Sequence, residues 1–204
     1  MTNLSVNDHS NQRLMSCVER GDLAGIALLL SQGVDPRQNQ SYALSRAAHN
    51  GYSECVKLLI PASDPKAENS YALCMAAGNG HAECVRLLIP VSDPKTNDSN
   101  ALRWAAVNGH LDCVNLLLPV SAPLIEVEDI LSEALGSGHA GILSSMLAHE
   151  PLLLARMDLA TALDAAVAEN HVDLQALLLS IIEKQHIDAH ISPSPAATQK
   201  PSRL

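Results

Sequence analysis

The chain has 204 residues, a formal net charge of −9 and a hydrophobic share of 47%, too apolar for a disordered chain. The acidic balance argues against a nucleic-acid binder, which would show a basic stripe, and no run of 18 apolar residues is present to span a membrane. Phe is absent and one Trp and three Tyr are the only aromatics, so Leu and Ala, the best helix formers, must fill the core. An all-α chain with thin, repetitive packing follows.

Residues 1–12 are polar and lack the apolar run of a secretory signal; they are expected to be disordered. From residue 13 a pattern begins. Leu14, Cys17, Val18, Gly21, Leu28, Leu29 and Leu30 form a first, weaker unit ahead of Asp35-Pro36. Three clear units follow, in which Ser41, Ser70 and Ser99 align at a period of 29 residues and 14 of the 29 positions are identical. In the first of these, Leu44, Ala47 and Ala48 stand at i, i+3 and i+4, one face of a short helix. Asn50-Gly51 stops that helix, because Gly readily takes the left-handed conformation. Cys55, Val56, Leu58 and Leu59 form the apolar face of a second helix, which Pro61 ends for want of an N–H. Asp64-Pro65 turns the chain into the next unit.

Downstream, Leu131, Ala134, Gly138-His139, Ile142 and Leu147 keep the spacing, with Ser145 in place of a Leu. A sixth unit runs through Leu163, Ala166, Asn170-His171, Leu177 and Leu178. The repeat domain is therefore expected over residues 13–183, as about six helix–turn–helix units with atypical ends. Residues 184–204 are rich in Ser and Pro and are expected to be a disordered tail. The tail ends Ser202-Arg203-Leu204, which resembles a carboxyl-terminal PDZ ligand.

Residues 101–110, A-L-R-W-A-A-V-N-G-H, and 114–118, V-N-L-L-L, resemble the ankyrin repeat, T-P-L-H-x-A-A-x-x-G-H followed by V-x-x-L-L. The motif Pro is Ala43, Ala72 or Ala101 here, and the motif His is Ser45, Cys74 or Arg103. The family period is about 33 residues, so each unit is about four short, in the loop where ankyrins carry a β-hairpin. The resemblance implies an ankyrin-type solenoid with blunt, strand-free loops. It also implies a module that binds another protein as adaptor, inhibitor or effector. The shortened form is similar to arrays in some bacterial proteins, including secreted effectors.

The resemblance places the residue two after the first-helix Leu in a concave groove. That column reads Ser16, Arg46, Met75, Trp104, Glu133 and Ala165, with Arg103 beside the single Trp. Trp, Met and Arg are enriched at binding surfaces, although Trp104 could instead pack between repeats. A second column, Arg37, Lys66 and Lys95, follows the loop prolines and could steer an acidic partner or stand as plain solvated surface.

His81, His110, His139 and His171 recur at one repeat position. Stacked helices lie about 8–10 Å apart, too far to share a zinc ion about 2 Å from each ligand, and the ankyrin resemblance implies a simpler role, bonding to neighbouring loop backbone at the helix turn. His186 and His190, four apart, lack the Glu of a helix-borne zinc signature. Cys55, Cys84 and Cys113, with Cys17 and Cys74, read as buried thiols of a reducing cytoplasm. No phosphate loop or nucleophile elbow occurs, and no catalytic residue, cofactor or metal is expected. A monomer is expected. The competing reading is an enzyme or regulatory subunit with a site among the carboxylates of residues 126–133 and 158–171.

Overall fold

A computed structural model describes residues 3–121 and 124–191. These form thirteen α-helices and, among the described residues, no strand. They fall into two units that divide after Arg156.

The first unit holds five helical pairs: α1 (Asn3–Glu19) with α2 (Leu23–Ser31), α3 (Gln38–His49) with α4 (Ser53–Leu59), α5 (Ala67–Gly78) with α6 (Ala82–Leu88), α7 (Thr96–Val107) with α8 (Leu111–Leu117), and α9 (Leu124–Gly136) with α10 (Ala140–His149). A single turn, α11 (Leu153–Arg156), closes it. First helices pack on first helices, from α1 through α9, and second helices on second helices, from α2 through α10. Leu44, Leu73, Leu102 and Leu131 form a buried column between them. Burying each is worth about 1.5–3 kcal/mol. The alanine pairs Ala47-Ala48, Ala76-Ala77 and Ala105-Ala106 are fully buried, and their small side chains let neighbouring first helices approach. Cys55, Cys84 and Cys113 line the second helices with Val56, Val85 and Val114.

The expected stops are observed. Each of α3 and α7 ends one residue before an Asn, and Gly51, Gly80 and Gly109 follow at φ of +74°, +77° and +81°. Pro61 ends α4 by opening a 3₁₀ turn, Ile60–Ala62. The loop beyond is held by a bond the repeat pattern does not announce. Ser41 Oγ accepts from the backbone N–H of Asp64 at 2.7 Å, and Ser70 Oγ from that of Asp93 at 2.8 Å. Both serines are buried and left-handed, at φ of +62° and +60°. The strain of a non-glycine residue there is offset by the loop bond. Ser70→Ala is therefore expected to destabilise the chain by about 1–2 kcal/mol. Urea melts should show a lower midpoint and an unchanged slope.

The second unit contains the sixth pair, α12 (Leu159–Ala168) and α13 (Val172–Ile191), packed on each other. Two boundaries differ from expectation. Helix α1 starts at Asn3, so residues 3–12 are helical rather than disordered: they contain neither Gly nor Pro to stop a helix seeded by Leu14 and Val18. Helix α13 likewise runs past residue 183 to Ile191, since the first breaker is Pro193. The terminal Ser202-Arg203-Leu204 lies outside the described residues.

Candidate functional site

Arg46, Met75 and Trp104 each stand two residues after a buried leucine, about 200° around the helix from it. Trp104 is 47% exposed, which decides against a core role. Gly78, one repeat back, makes room for it, because a Cβ there would lie 3.3 Å from Trp104 Cβ. Two further aromatics share this face. Tyr42 is 45% exposed and Tyr71 37% exposed, each four residues before Arg46 or Met75 and so on the same side of its helix. With Ser45, Arg46, His49 and Met75 they line a shallow depression across α3 and α5. The sequence reading missed both tyrosines. Their signal was the recurrence of Tyr at one repeat position in a chain with only four aromatics.

Not every residue of the expected column is open to a partner. Arg103 on α7 and Glu133 on α9 form an ion pair with each other. Arg46 Nε lies 3.9 Å from a Glu19 carboxylate oxygen on α1, outside hydrogen-bond reach. Such exposed pairs are worth about 0–1 kcal/mol, and they set side-chain direction more than stability.

Arg37, Lys66 and Lys95 are exposed, as a steering column requires. However, the backbone N–H of each donates to an aspartate two residues back, Asp35, Asp64 and Asp93, at 3.0, 3.0 and 3.1 Å. Three carboxylates therefore sit beside the three cations, and this edge alternates in sign instead of forming a positive stripe.

Three of the four column histidines have the backbone role that the ankyrin resemblance implies. Nε2 of His81, His110 and His139 bonds the carbonyl oxygens of His49, Gly78 and Val107 in the preceding repeat, at 2.9, 3.1 and 3.0 Å. Each of these residues occupies the N-cap position of a second helix but makes no cap bond, because its ring reaches back instead. Tyr52 takes that position in α4, with its hydroxyl 3.5 Å from the Glu19 carbonyl. His171 lies at the α12–α13 turn with Nδ1 buried and without a hydrogen bond. His186 is exposed on α13, and the His190 side chain lies outside the described residues.

All five cysteines are buried free thiols. Burial pushes the thiols of Cys74, Cys84 and Cys113 up to about 11, and raises that of Cys55, with nearby carboxylates adding to the effect at Cys55, Cys84 and Cys113. Thiols held protonated are poor nucleophiles and poor metal ligands.

Two carboxylates of the competing enzymatic reading, Asp158 and Glu133, have structural partners. Asp158 caps α12, accepting from the N–H of Ala160 and Thr161 and from the Thr161 hydroxyl, and these bonds hold its carboxyl below the usual range. Glu133 pairs with Arg103. The side chains of residues 126–129 lie outside the description. Among the described residues no group of three or more His, Cys, Asp or Glu could hold a metal ion. No described helix is long and apolar enough to cross a membrane.

Among curated proteins no relative matches. A family model for ankyrin repeats matches in three copies over residues 44–129. That span begins at the buried Leu44 and covers the three units of clearest 29-residue spacing, α3 to α8 with the start of α9. The helical pairs outside that span share the same helix–turn–helix plan, and residues 44–129 are ankyrin repeats.

Proposed function

We propose that the chain acts by binding a partner protein, as adaptor or inhibitor, on the first-helix face of α3, α5 and α7. Ankyrin repeats are in general protein-interaction modules. The observation that carries the site is that Tyr42, Tyr71 and Trp104, three of the four aromatics in the chain, stand exposed on successive first helices. Aromatics exposed in a row on a rigid scaffold are the side chains that dominate binding energy. Met75 and Arg46 fill the space between them. The five reduced, buried thiols suit a reducing compartment. With Arg37, Lys66 and Lys95 each offset by an aspartate, association should depend only weakly on salt.

Affinity capture from native lysate supplies the partner, and the variants then test the face. Trp104→Ala is expected to weaken binding by about 2 kcal/mol or more, roughly 30-fold, with little change in melting temperature because the ring is half exposed. Tyr71→Ala should act in the same direction. Joint reversal of Arg37, Lys66 and Lys95 to Glu should leave most of the affinity in place. A captured protein that binds the Trp104→Ala and Tyr71→Ala chains as tightly as the native one would exclude this face.

A further inference from the structure

Helix α13 differs from the second helices of the repeats before it. Helices α4, α6 and α8 have seven residues each, whereas α13 has 20. Leu174 and Leu178 are buried on one of its sides. On the other, Val172, Ala176, Leu179, Glu183 and Ile187 fall at i, i+4, i+7, i+11 and i+15, a stripe about 80° wide and about 22 Å long. Val172 is 64% exposed, Leu179 48% and Ile187 56%; Ala176 and Glu183 are exposed as well. A helix apolar on both sides is normally covered on both, and this spacing is that of a helix-packing seam.

We propose that this stripe docks an amphipathic helix of a partner protein, and that the docked helix places a Lys or Arg against Glu183. Charge selects this occupant. Beyond Glu183 itself, Asp164, Glu169 and Asp173 are exposed on α12, α13 and the turn between them, and Lys184 is the only Lys or Arg in residues 157–191. A second copy of the chain fits poorly. In a parallel pair Glu183 would meet Glu183, and in an antiparallel pair centred on Leu179 it would fall level with Gln175, beside Ala176. Either arrangement covers a carboxylate without a cation, which is strongly unfavourable. This surface is separate from the aromatic face of α3, α5 and α7 and does not depend on it.

The probe is a fluorescein-labelled 18-residue peptide of Leu and Lys, with Leu at the spacing of the stripe, and a Leu/Glu counterpart. Anisotropy is read with the full chain at about 0.3 M salt, where long-range attraction to an acidic protein is screened. The Leu/Lys peptide should bind, and Leu179→Asp should weaken it tenfold or more. Glu183→Lys should weaken it too and give measurable binding of the Leu/Glu peptide. Both substitutions are at exposed positions, and unchanged circular-dichroism melts would confirm the fold. The proposal is overturned if Leu179→Asp leaves affinity unchanged, since attraction would then be charge alone. It is equally overturned if Glu183→Lys gains no binding of the Leu/Glu peptide. Sedimentation showing a dimer that Leu179→Asp dissolves would assign the stripe to a second copy. A tenfold gain in affinity on deleting residues 192–204 would assign it to the chain's own carboxyl-terminal segment.

Discussion

Gly80→Ala is expected to destabilise the chain by about 2–5 kcal/mol, and Gly33→Ala by about 1–2 kcal/mol. Both glycines are left-handed, Gly80 at φ +77° and Gly33 at φ +83°, so both substitutions carry the strain of a Cβ in that conformation, about 1–2 kcal/mol. They differ in what the Cβ meets. At Gly33 there is nothing within 4 Å, whereas at Gly80 the Cβ would lie 2.6 Å from His110 Nδ1. The ring must move, and its bond to the Gly78 carbonyl goes with it. The Gly78 carbonyl keeps its bond from Asn108 Nδ2, but the part-buried His110 nitrogen is left unpaired, which costs a further 1–3 kcal/mol or so. Urea denaturation of the two variants isolates the second contribution. Equal losses at the two sites would show that the His110 ring is not held against the turn.

The second large effect is alkaline. Cys74, Cys84 and Cys113 have thiols raised from 9.0 to about 11 in the folded chain. Unfolded thiols ionise first, near the ordinary value, while the folded ones stay protonated. The stabilisation linked to these thiols is therefore complete below about pH 9 and is lost as pH rises towards about 11. Within that window each thiol lowers stability by up to about 1.4 kcal/mol per pH unit, so the three together give a slope approaching 4 kcal/mol per unit. Tyrosine and lysine side chains in general also ionise at alkaline pH. The comparison is accordingly with a chain carrying Ala at 74, 84 and 113, which keeps those groups. Its stability at pH 8 should be lower from lost packing, but its fall between pH 9 and 10.5 should be clearly shallower. Parallel pH profiles would mean that the three thiols ionise as readily folded as unfolded.

What the sequence revealed was whatever repeats in phase with a local rule. Asn50-Gly51, Pro61 and the Leu44 column could each be read because turn chemistry and helical periodicity act over a few residues. The histidine column was legible for a different reason: helix spacing argued against a shared metal, and the ankyrin resemblance supplied the backbone role. The Ser41 and Ser70 loop bonds were not legible, although the serine is identical in three copies. Their partners lie 23 residues away, and no local rule says which N–H the loop will present. The pairing of Arg103 with Glu133 was hidden likewise, because it depends on the offset between α7 and α9. Tyr42 and Tyr71 were missed for a subtler cause. Each lies ahead of the first core leucine and just after a left-handed serine inside α3 or α5, an interruption past which simple helical periodicity does not say which side a residue occupies.

The serine loop bond and the histidine bond have a consequence for how such a chain can change length. The serine bond closes a repeat on itself at an offset of 23 residues, and the histidine bond ties a repeat to the one before it at an offset of 32. Excising residues 70–98 as a block would bring Ser99 directly after residue 69. Ser41 would still find the N–H of Asp64, and His110 would meet the His49 carbonyl that His81 had used. Every donor regains an acceptor, and only Tyr71 and Met75 disappear from the exposed face. Duplication or loss of a 29-residue segment is therefore a step a genome can take without an intermediate that fails to fold. Each step widens or narrows the recognition surface by one repeat, leaving the rest in register.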